Sequence, residues 1–447
     1  MKKTKGFLMV LLSAVLAFCG FACNNGENGG GGKTEVGKIV LPEWSNDKAI
    51  TISGWDSPIN TLADYQLAKD MGLTHMFIDQ FFARRGTAGY GEILGFCEQV
   101  GLKAIVNIGS YERHENTQED NTDYSQFPAV DMINYWDEPW HSSFPRLEEL
   151  AVEHTQKYGA DIAFYVNLYP NTATSTFGGK GFNGYVGDLA DNVLSKVQGR
   201  KIISCDIYPF LKGRLGGHQM RSTWLAGVET VSTHAKRIGG ESQFFLQATE
   251  HTTPDSNYRA MSEEDLRFQF FVLMAFGVKG FHYFTYRTSF IADFKKSCVD
   301  DKISGKTYPL YNYAKTVNTE IQAFDRVYMN FDWNGTMPVL GELGDGYNLN
   351  FDGLNNAKEK IDALKSITAE QDALVGQFKD DKDRDGLIVT NFTDPADGLL
   401  NYVTLEFEDA SKILMWRKGM RYLYEIKNNK FDIQLDSGEG VFIVPIK

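Results

Sequence analysis

An acidic pair between two tryptophans is the segment of this chain best suited to proton transfer. Asp137 and Glu138 follow a short apolar run, and Trp136 and Trp140 flank them. Apolar and aromatic surroundings disfavour the charged form of a carboxyl group and so raise its pKa toward the range that a general acid needs. We therefore expect Glu138 to act as a catalytic acid/base. Acids that begin a helix ahead of Pro139 are the alternative interpretation.

Two further acids follow other apolar runs and are candidates for the second carboxyl group of a hydrolytic pair. Hydrolysis of a glycosidic bond uses one carboxyl group to donate a proton and another to attack the sugar or activate water. Glu250 is the expected nucleophile, and Asp206 is the alternative. Tyr208 lies on the same side of an extended segment as Asp206, where its hydroxyl can donate a hydrogen bond to the nucleophile.

Polar and aromatic side chains end most of the apolar runs. A concave site that collects acids, amides and aromatic rings is suited to a sugar. The expected substrate-binding residues are Trp55, Asp79, Asn107, Trp136, Asp137, Trp140, Asn167, Asp206, Tyr208, Gln247, Tyr283 and Tyr286. Because the sequence contains neither a Gly-x-Ser-x-Gly motif nor a His-Glu-x-x-His zinc motif, serine and zinc hydrolysis are disfavoured. We expect no metal and no cofactor.

Eight short apolar runs must position these residues. They are 50–54, 74–79, 103–108, 132–136, 162–168, 201–207, 243–248 and 280–285. Continuous apolar strands of this length, with helical segments between them, are typical of a parallel sheet buried on both faces. Eight such units predict an α/β fold, a (β/α)8 TIM barrel whose strand ends meet at one face. An open doubly wound sheet is the alternative, but no glycine-rich phosphate loop follows the first run.

After residue 330 the pattern becomes that of antiparallel strands. Apolar and polar residues alternate in runs that turn residues separate, at 387–392, 401–407, 412–416, 421–425, 430–435 and 440–445. This pattern predicts a small antiparallel β-sandwich. We assign 49–330 to the barrel, as the catalytic domain, and 331–447 to the sandwich.

The amino terminus has the features of a targeting segment. In residues 1–22, three lysines precede an apolar run that is too short to span a membrane. Ala22 precedes Cys23, which resembles a bacterial lipoprotein signal, so we expect cleavage before Cys23 and lipid on its sulfur. Residues 23–48 begin with a glycine-rich stretch and form a flexible tether. The exported protein is expected in the outer membrane or at the cell surface.

Charge and cysteine content exclude several partners. The net charge is −13, and no run rich in Lys or Arg is present, so a nucleic acid is not expected as a partner. Three free cysteines remain after processing and lipidation of Cys23, namely Cys97, Cys205 and Cys298. They are widely spaced and odd in number, which predicts buried thiols instead of disulfides or zinc ligands. We expect a monomer that binds a carbohydrate substrate.

The strand-end motifs resemble those of the large clan of retaining barrel glycosidases that includes β-galactosidases and cellulases. Glu138-Pro139 matches the clan's Asn-Glu-Pro acid/base motif after the fourth strand, and Glu250 matches its nucleophile after the seventh strand by position. Tyr208 matches the tyrosine of a His-x-Tyr motif after the sixth strand, whereas the histidine is absent. Asp137 stands where the clan has Asn.

The whole chain is similar in organisation to polysaccharide-degrading lipoproteins of gut Bacteroidetes, with a lipoprotein start and a β-sandwich end. The resemblance implies a glycoside hydrolase that cleaves O-glycosyl bonds of an oligo- or polysaccharide by a retaining two-carboxylate mechanism. A non-catalytic carbohydrate-binding lipoprotein on a decayed glycosidase barrel is the alternative.

Overall fold

The structure of the protein is a computed structural model that describes residues 41–79, 90–108, 122–213, 217–253, 256–289, 293–344 and 346–447. Residues Trp44–Lys447 form one compact unit. Cys23 and the predicted signal peptide lie outside the described residues. Within the described part, no helix is long and apolar enough to cross a membrane. The three cysteines there, Cys97, Cys205 and Cys298, are buried free thiols, as predicted.

The first part of this unit is a (β/α)8 barrel, which confirms the predicted fold. Its strands and insertions are β1 (Thr51–Gly54), β2 (His75–Asp79), β3 (Lys103–Asn107), β4 (Val130–Asp137), β5 (Ala163–Leu168), β6 (Ile202–Cys205), β7 (Phe210–Lys212), β8 (His218–Met220), β9 (Glu241–Gln247), β10 (His251–Thr253), β11 (Ser256–Tyr258) and β12 (Gly280–Phe284). Eight are parallel neighbours in the order β1-β12-β9-β6-β5-β4-β3-β2. Thr74 brings the two ends together, since its backbone N donates to the carbonyl O of Ile52 at 2.8 Å.

Helices surround the barrel and cover its outer face. They are α1 (Leu62–Asp70), α2 (Tyr90–Val100), α3 (Phe144–Tyr158), α4 (Gly181–Asp188), α5 (Trp224–Arg237), α6 (Glu263–Ala275), α7 (Pro309–Gln322), α8 (Asp325–Tyr328) and, in the second part of the chain, α9 (Leu349–Asp352). In α3, Phe144, Leu147, Leu150 and Ala151 recur at helical spacing and are buried. This apolar stripe holds the helix against the sheet.

Alternation along the strands decides which side chains enter the barrel. Ile105, Met132, Ala163 and Ile202 pack together inside it, one from each of β3 to β6. Their chain neighbours, such as Ile133, pack in the outer layer with the helices. Because successive side chains point to opposite faces, the polar residues that continue the inward series meet above this apolar filling.

Two hairpin-like insertions after β6 and β9 form a small sheet that the sequence does not predict. The antiparallel order is β10-β11-β7-β8. Each of these strands has three residues, which is too short for an alternating pattern to be visible.

The second part of the chain is the predicted β-sandwich. Its strands are β13 (Phe331–Val339), β14 (Leu364–Ala369), β15 (Ala373–Asp380), β16 (Asp385–Asn391), β17 (Asn401–Phe407), β18 (Lys412–Arg417), β19 (Met420–Glu425), β20 (Lys430–Leu435) and β21 (Gly440–Ile446). Six form the sheet β13-β15-β16-β21-β18-β19, and three form the sheet β14-β17-β20. Val375, Val389, Leu405 and Ile413 belong to its apolar core.

Candidate active site

A cavity of about 130 Å³ lies at the carboxyl ends of the barrel strands. This is the end at which barrels of this class carry their active sites. The cavity is lined by Trp55, Asp137, Glu138, Asn167, Asp206, Tyr208, Phe245 and Phe284. All of them except Phe245 and Phe284 are site residues that the sequence predicts.

An irregularity in β4 directs the acidic pair toward this cavity. The register between β4 and β5 shifts between Asn134 and Trp136, after which Asp137 pairs with Asn167. A bulge exchanges the inward and outward faces of the strand beyond it. Without it, regular alternation would continue the inward series of Met132 and Asn134 to Trp136 instead of Asp137.

The backbone at Glu138 is held in an unfavourable conformation. Its φ is 55°, in the left-handed region, which costs a non-glycine residue about 1–2 kcal/mol. The backbone N of Glu138 donates to the carbonyl O of Asn167 at 2.8 Å, and the hydroxyl of Tyr185 donates to the carbonyl O of Pro139 at 2.6 Å. These contacts fix the residue at the edge of the cavity.

A directed chain of hydrogen bonds orients Asp137. The hydroxyl of Tyr165 donates to Oγ of Ser204 at 2.5 Å, and that Oγ donates to Oδ1 of Asn167 at 3.1 Å. Because Oδ1 of Asn167 accepts this bond, its amide nitrogen turns the other way and donates to Oδ1 of Asp137 at 3.1 Å. The barrel interior therefore fixes one oxygen of Asp137 through an amide donor.

Asp206 lies in surroundings that favour its protonated form. Burial raises its pKa well above the usual value for Asp, and the charges of Glu138 and Asp137 raise it further. Oδ1 of Asp206 and the hydroxyl of Tyr208 are buried and have no hydrogen-bond partner within the described part of the chain. Since buried polar atoms almost always have a partner, these two atoms are suited to contact a ligand in the cavity.

Aromatic rings form the apolar part of the cavity wall. The ring centroid of Trp55 is 5.6 Å from that of Phe245, and Tyr208 stacks on Phe284 at 5.5 Å. A sugar presents C–H groups on its ring faces and hydroxyls at its edges. Rings beside carboxyl, amide and phenol groups match both kinds of surface.

Glu250, the expected nucleophile, does not line the cavity. The chain leaves β9 and enters the four-stranded insertion sheet, where Oε1 of Glu250 accepts a hydrogen bond from Nζ of Lys212 at 2.6 Å. The side chain is about one quarter exposed, at 26%. The structure therefore brings Asp206, and not Glu250, together with Glu138.

Two other predicted residues support the barrel from within. Gln247 is buried, and its amide group binds the backbone N and O of Phe210 at 2.9 and 2.8 Å. Oδ1 of Asn107 accepts a hydrogen bond from Asn134 at 3.2 Å. Both residues hold neighbouring strands or insertions together and do not line the cavity. The side chain of Asp79 lies outside what the structure describes.

The remaining predicted aromatic residues are not among those that line the cavity. Tyr283 points outward from β12, where its hydroxyl donates to Oδ1 of Asn318 at 2.7 Å. Tyr286 belongs to the outer core, and Trp136 packs against that core. Trp140 is 54% exposed.

Phe245 and Phe284 also line the cavity, although they are not among the site residues that the sequence predicts. Phe245 is two residues before Gln247, and Phe284 is two residues after His282, which also lies inside the barrel. Residues two apart on a strand point to the same face, so the alternation along β9 and β12 is the signal that identifies these two residues. The same alternation places Tyr283, which is adjacent to Phe284, on the outer face.

Comparison with known proteins identifies the fold. No family model and no curated protein sequence matches the chain. A solved β-L-arabinopyranosidase of glycoside hydrolase family 27 from Geobacillus stearothermophilus is 10% identical, with a TM-score of 0.50, over 90% of this chain and 97% of that one. The α-galactosidase I of Mortierella vinacea is 11% identical, with a TM-score of 0.50, over 89% of this chain and 96% of that one. These neighbours share the (β/α)8 fold with this protein.

Proposed function

We propose that the protein is a glycoside hydrolase that cleaves O-glycosyl bonds of an oligo- or polysaccharide. The cavity in which Asp137, Glu138 and Asp206 meet beside aromatic rings is the observation that carries this proposal. Glycoside hydrolysis needs two carboxyl groups that differ in protonation, and differing environments separate their pKa values. The solved structures that share the fold are named as glycosidases, which agrees with this assignment.

Asp206 is the proposed proton donor. Its raised pKa keeps the carboxyl group protonated nearer to neutral pH than an ordinary Asp, as a general acid requires. The proton passes from Asp206 to the leaving oxygen as the bond between that oxygen and the anomeric carbon breaks. The sequence expectation gave this role to Glu138. Asp206 takes the role here because its burial and the charges of Glu138 and Asp137 raise its pKa.

Glu138 is the proposed nucleophile of a retaining mechanism. Its carboxylate forms a bond to the anomeric carbon, and water then cleaves that bond while Asp206 takes back a proton. Retaining enzymes hold the two carboxyl groups about 5–5.5 Å apart, whereas inverting ones leave about 6.5–9.5 Å for a water.

Asp137, Asn167 and Tyr208 are the proposed contacts to sugar hydroxyls. Asp137 accepts hydrogen bonds, while Tyr208 has a buried hydroxyl to donate. Trp55 and Phe245 are placed to cover a ring face.

A fluorinated glycoside that traps the covalent intermediate tests these roles. After screening aryl glycosides for a substrate, the matching 2-fluoro sugar is added, and the labelled peptide is sequenced by mass spectrometry. We expect the label on Glu138. A label on Asp206 or Glu250 would reassign the nucleophile, and an inverted product would exclude the covalent intermediate.

Anchoring of the enzyme through lipid on Cys23 is proposed from the sequence. The basis is Ala22-Cys23 after an apolar run and before a glycine-rich stretch. We expect the wild type in the membrane fraction and Cys23→Ser in the soluble fraction. Equal partition of the two forms would contradict lipidation.

A further inference from the structure

A second and larger cleft lies at the opposite end of the barrel, against the start of the β-sandwich. Its volume is about 490 Å³, in the range of small-molecule sites. Glu241 at the start of β9 and Lys279 just before β12 line it, so it lies at the amino ends of the strands. Asp332 and Trp333 of β13 form the other wall. None of its lining residues belongs to the candidate active site.

Three lysines contribute positive charge to this cleft, Lys48, Lys236 and Lys279. Nζ of Lys279 donates to the carbonyl oxygens of Tyr328 at 3.1 Å and Phe331 at 2.8 Å, and it lies 3.8 Å from the ring centroid of Tyr328. At most one of its three N–H donors is left for a ligand. Nζ of Lys236 is 5.5 Å from the ring centroid of Trp333. Neither lysine forms an ion pair with any residue that the structure describes.

Two acids of the cleft offset this charge only in part, since three lysines face Glu241 and Asp332, and the charge of Asp332 acts on both Lys236 and Lys279. Glu241 is already engaged, since its Oε2 accepts a hydrogen bond from Arg200 at 3.3 Å. Burial lowers the pKa of Lys279 to about 7 and also lowers that of Lys236. The chain as a whole has a net charge of −13, whereas these partly desolvated ammonium groups lie close together in the cleft. A bound anion would stabilise their charged form.

We propose that this cleft binds an acidic saccharide, whose single carboxylate or sulfate group contacts Lys236 and Lys279. Glu241 and Asp332 on the same walls would repel a polyphosphate, but they accept hydrogen bonds from sugar hydroxyls. Ser232 adds a neutral polar group to the wall. In a ligand that is rich in hydroxyls and carries one negative group, the negative group can pair with the lysines and the hydroxyls can donate hydrogen bonds to the two acids. This site goes beyond the proposed hydrolysis, because it requires no residue of the mouth cavity.

Calorimetric titration of the full chain tests the cleft independently of catalysis. The protein carries Asp206→Asn, which prevents turnover at the mouth. The probes are a galactobiose in which one sugar is oxidised to galacturonate, galactose 6-sulfate, and neutral galactobiose. We expect one site for at least one acidic sugar, binding about tenfold or more tighter than galactobiose. Lys236→Met should weaken this binding about tenfold or more, because it removes the charge and keeps the aliphatic stem. Lys48→Met should weaken it less.

Lys196→Met is the matched control, since Lys196 pairs with Glu148 on the barrel surface at 3.1 Å, and it should leave binding unchanged. Unchanged binding in both cleft variants would overturn the proposal, as would equal binding of galactobiose. Failure of both acidic sugars to bind at about 10 mM would also overturn it. Inorganic sulfate that binds as tightly as galactose 6-sulfate would reduce the cleft to a simple anion site and contradict saccharide recognition.

Discussion

At the residue scale, the three acids of the mouth differ because their surroundings differ. Asp137 is fixed by an amide donor, Glu138 is fixed through its backbone, and Asp206 has a raised pKa with one oxygen unpaired within the described residues. A carboxyl group whose pKa is raised by its surroundings, as that of Asp206 is, is suited to donate a proton.

Removing one of the charges that raise the pKa of Asp206 should shift the pH dependence of the reaction. A general acid works while protonated, so kcat falls as pH rises through its pKa. Asp137→Asn removes a neighbouring negative charge, and we therefore expect the alkaline limb of the kcat profile to move to lower pH. Asp191→Asn, a change in an exposed acid that pairs with Arg237, should leave the limb in place. An alkaline limb that does not respond to Asp137→Asn would contradict the electrostatic origin of the pKa.

The same raised pKa predicts a cost in stability. Between its unfolded value, about 3.9, and its raised folded value, Asp206 binds a proton in the folded state and not in the unfolded one. The free energy of unfolding therefore falls as pH rises through this window. Asp206→Asn removes that loss and should stabilise the protein by about 1 kcal/mol or more at pH 7, with little gain below about pH 4. Denaturant unfolding at both pH values measures this, and an equal effect at the two would contradict it.

The sequence identifies the residues of the mouth better than it identifies their roles. Asp137, Glu138, Asn167, Asp206 and Tyr208 all lie at or just after the carboxyl ends of strands, and strand ends are visible as the limits of apolar runs. Burial and mutual repulsion depend on which side chains face each other, and that depends on contacts between distant strands. The assignment of proton donor and nucleophile therefore required the folded arrangement.

At the element scale, the bulge in β4 and the left-handed turn at Glu138 place the acidic pair. A bulge shifts parity by one residue, so an alternating pattern predicts the wrong inward face beyond it. The position of Glu250 outside the cavity could not be predicted from the sequence either. Its partner Lys212 lies in one of the three-residue strands of the insertion sheet, which are too short to show an alternating pattern. Long helices such as α3 and strands such as β5 were predictable from apolar spacing alone.

Two substitutions at one position measure the strain at Glu138. Glycine adopts a positive φ without penalty, so Glu138→Gly should be more stable than Glu138→Ala by about 1 kcal/mol. Val152, an exposed position within α3, is the matched control, where the order should reverse and Gly should be less stable than Ala by about 1 kcal/mol. Urea unfolding of the four variants gives both differences. Equal stability of Glu138→Gly and Glu138→Ala would exclude strain.

At the scale of the whole molecule, the barrel and the sandwich share a tight seam. Oγ1 of Thr336 in β13 donates to the carbonyl O of Ala275 at the end of α6, at 2.7 Å. A Cβ atom at Gly376 in β15 would lie 2.3 Å from the same oxygen. The sequence shows where the pattern changes near residue 330, but it cannot show that the two parts touch through backbone atoms.

Gly376→Ala should therefore destabilise the protein as a unit. Overpacking against backbone costs about 1–3 kcal/mol, and we expect lower midpoints for the unfolding of barrel and sandwich together in one thermal transition. Gly95→Ala within α2, where an added Cβ meets nothing within 4 Å, should be neutral or stabilising by up to about 1 kcal/mol. Separate transitions of which only one responds to Gly376→Ala would contradict a shared seam.

Proton donation by Asp206 is tested most directly by comparing leaving groups. The wild type and Asp206→Asn are assayed on pairs of aryl glycosides with the same sugar and either a poor or a good leaving phenol. We expect the wild type to hydrolyse both, and Asp206→Asn to lose about 10²–10⁴-fold in rate with the poor leaving group and far less with the good one, which departs without a proton. Equal losses for both phenols would contradict the role of Asp206, and a wild type that binds these glycosides but cleaves none would contradict hydrolysis itself.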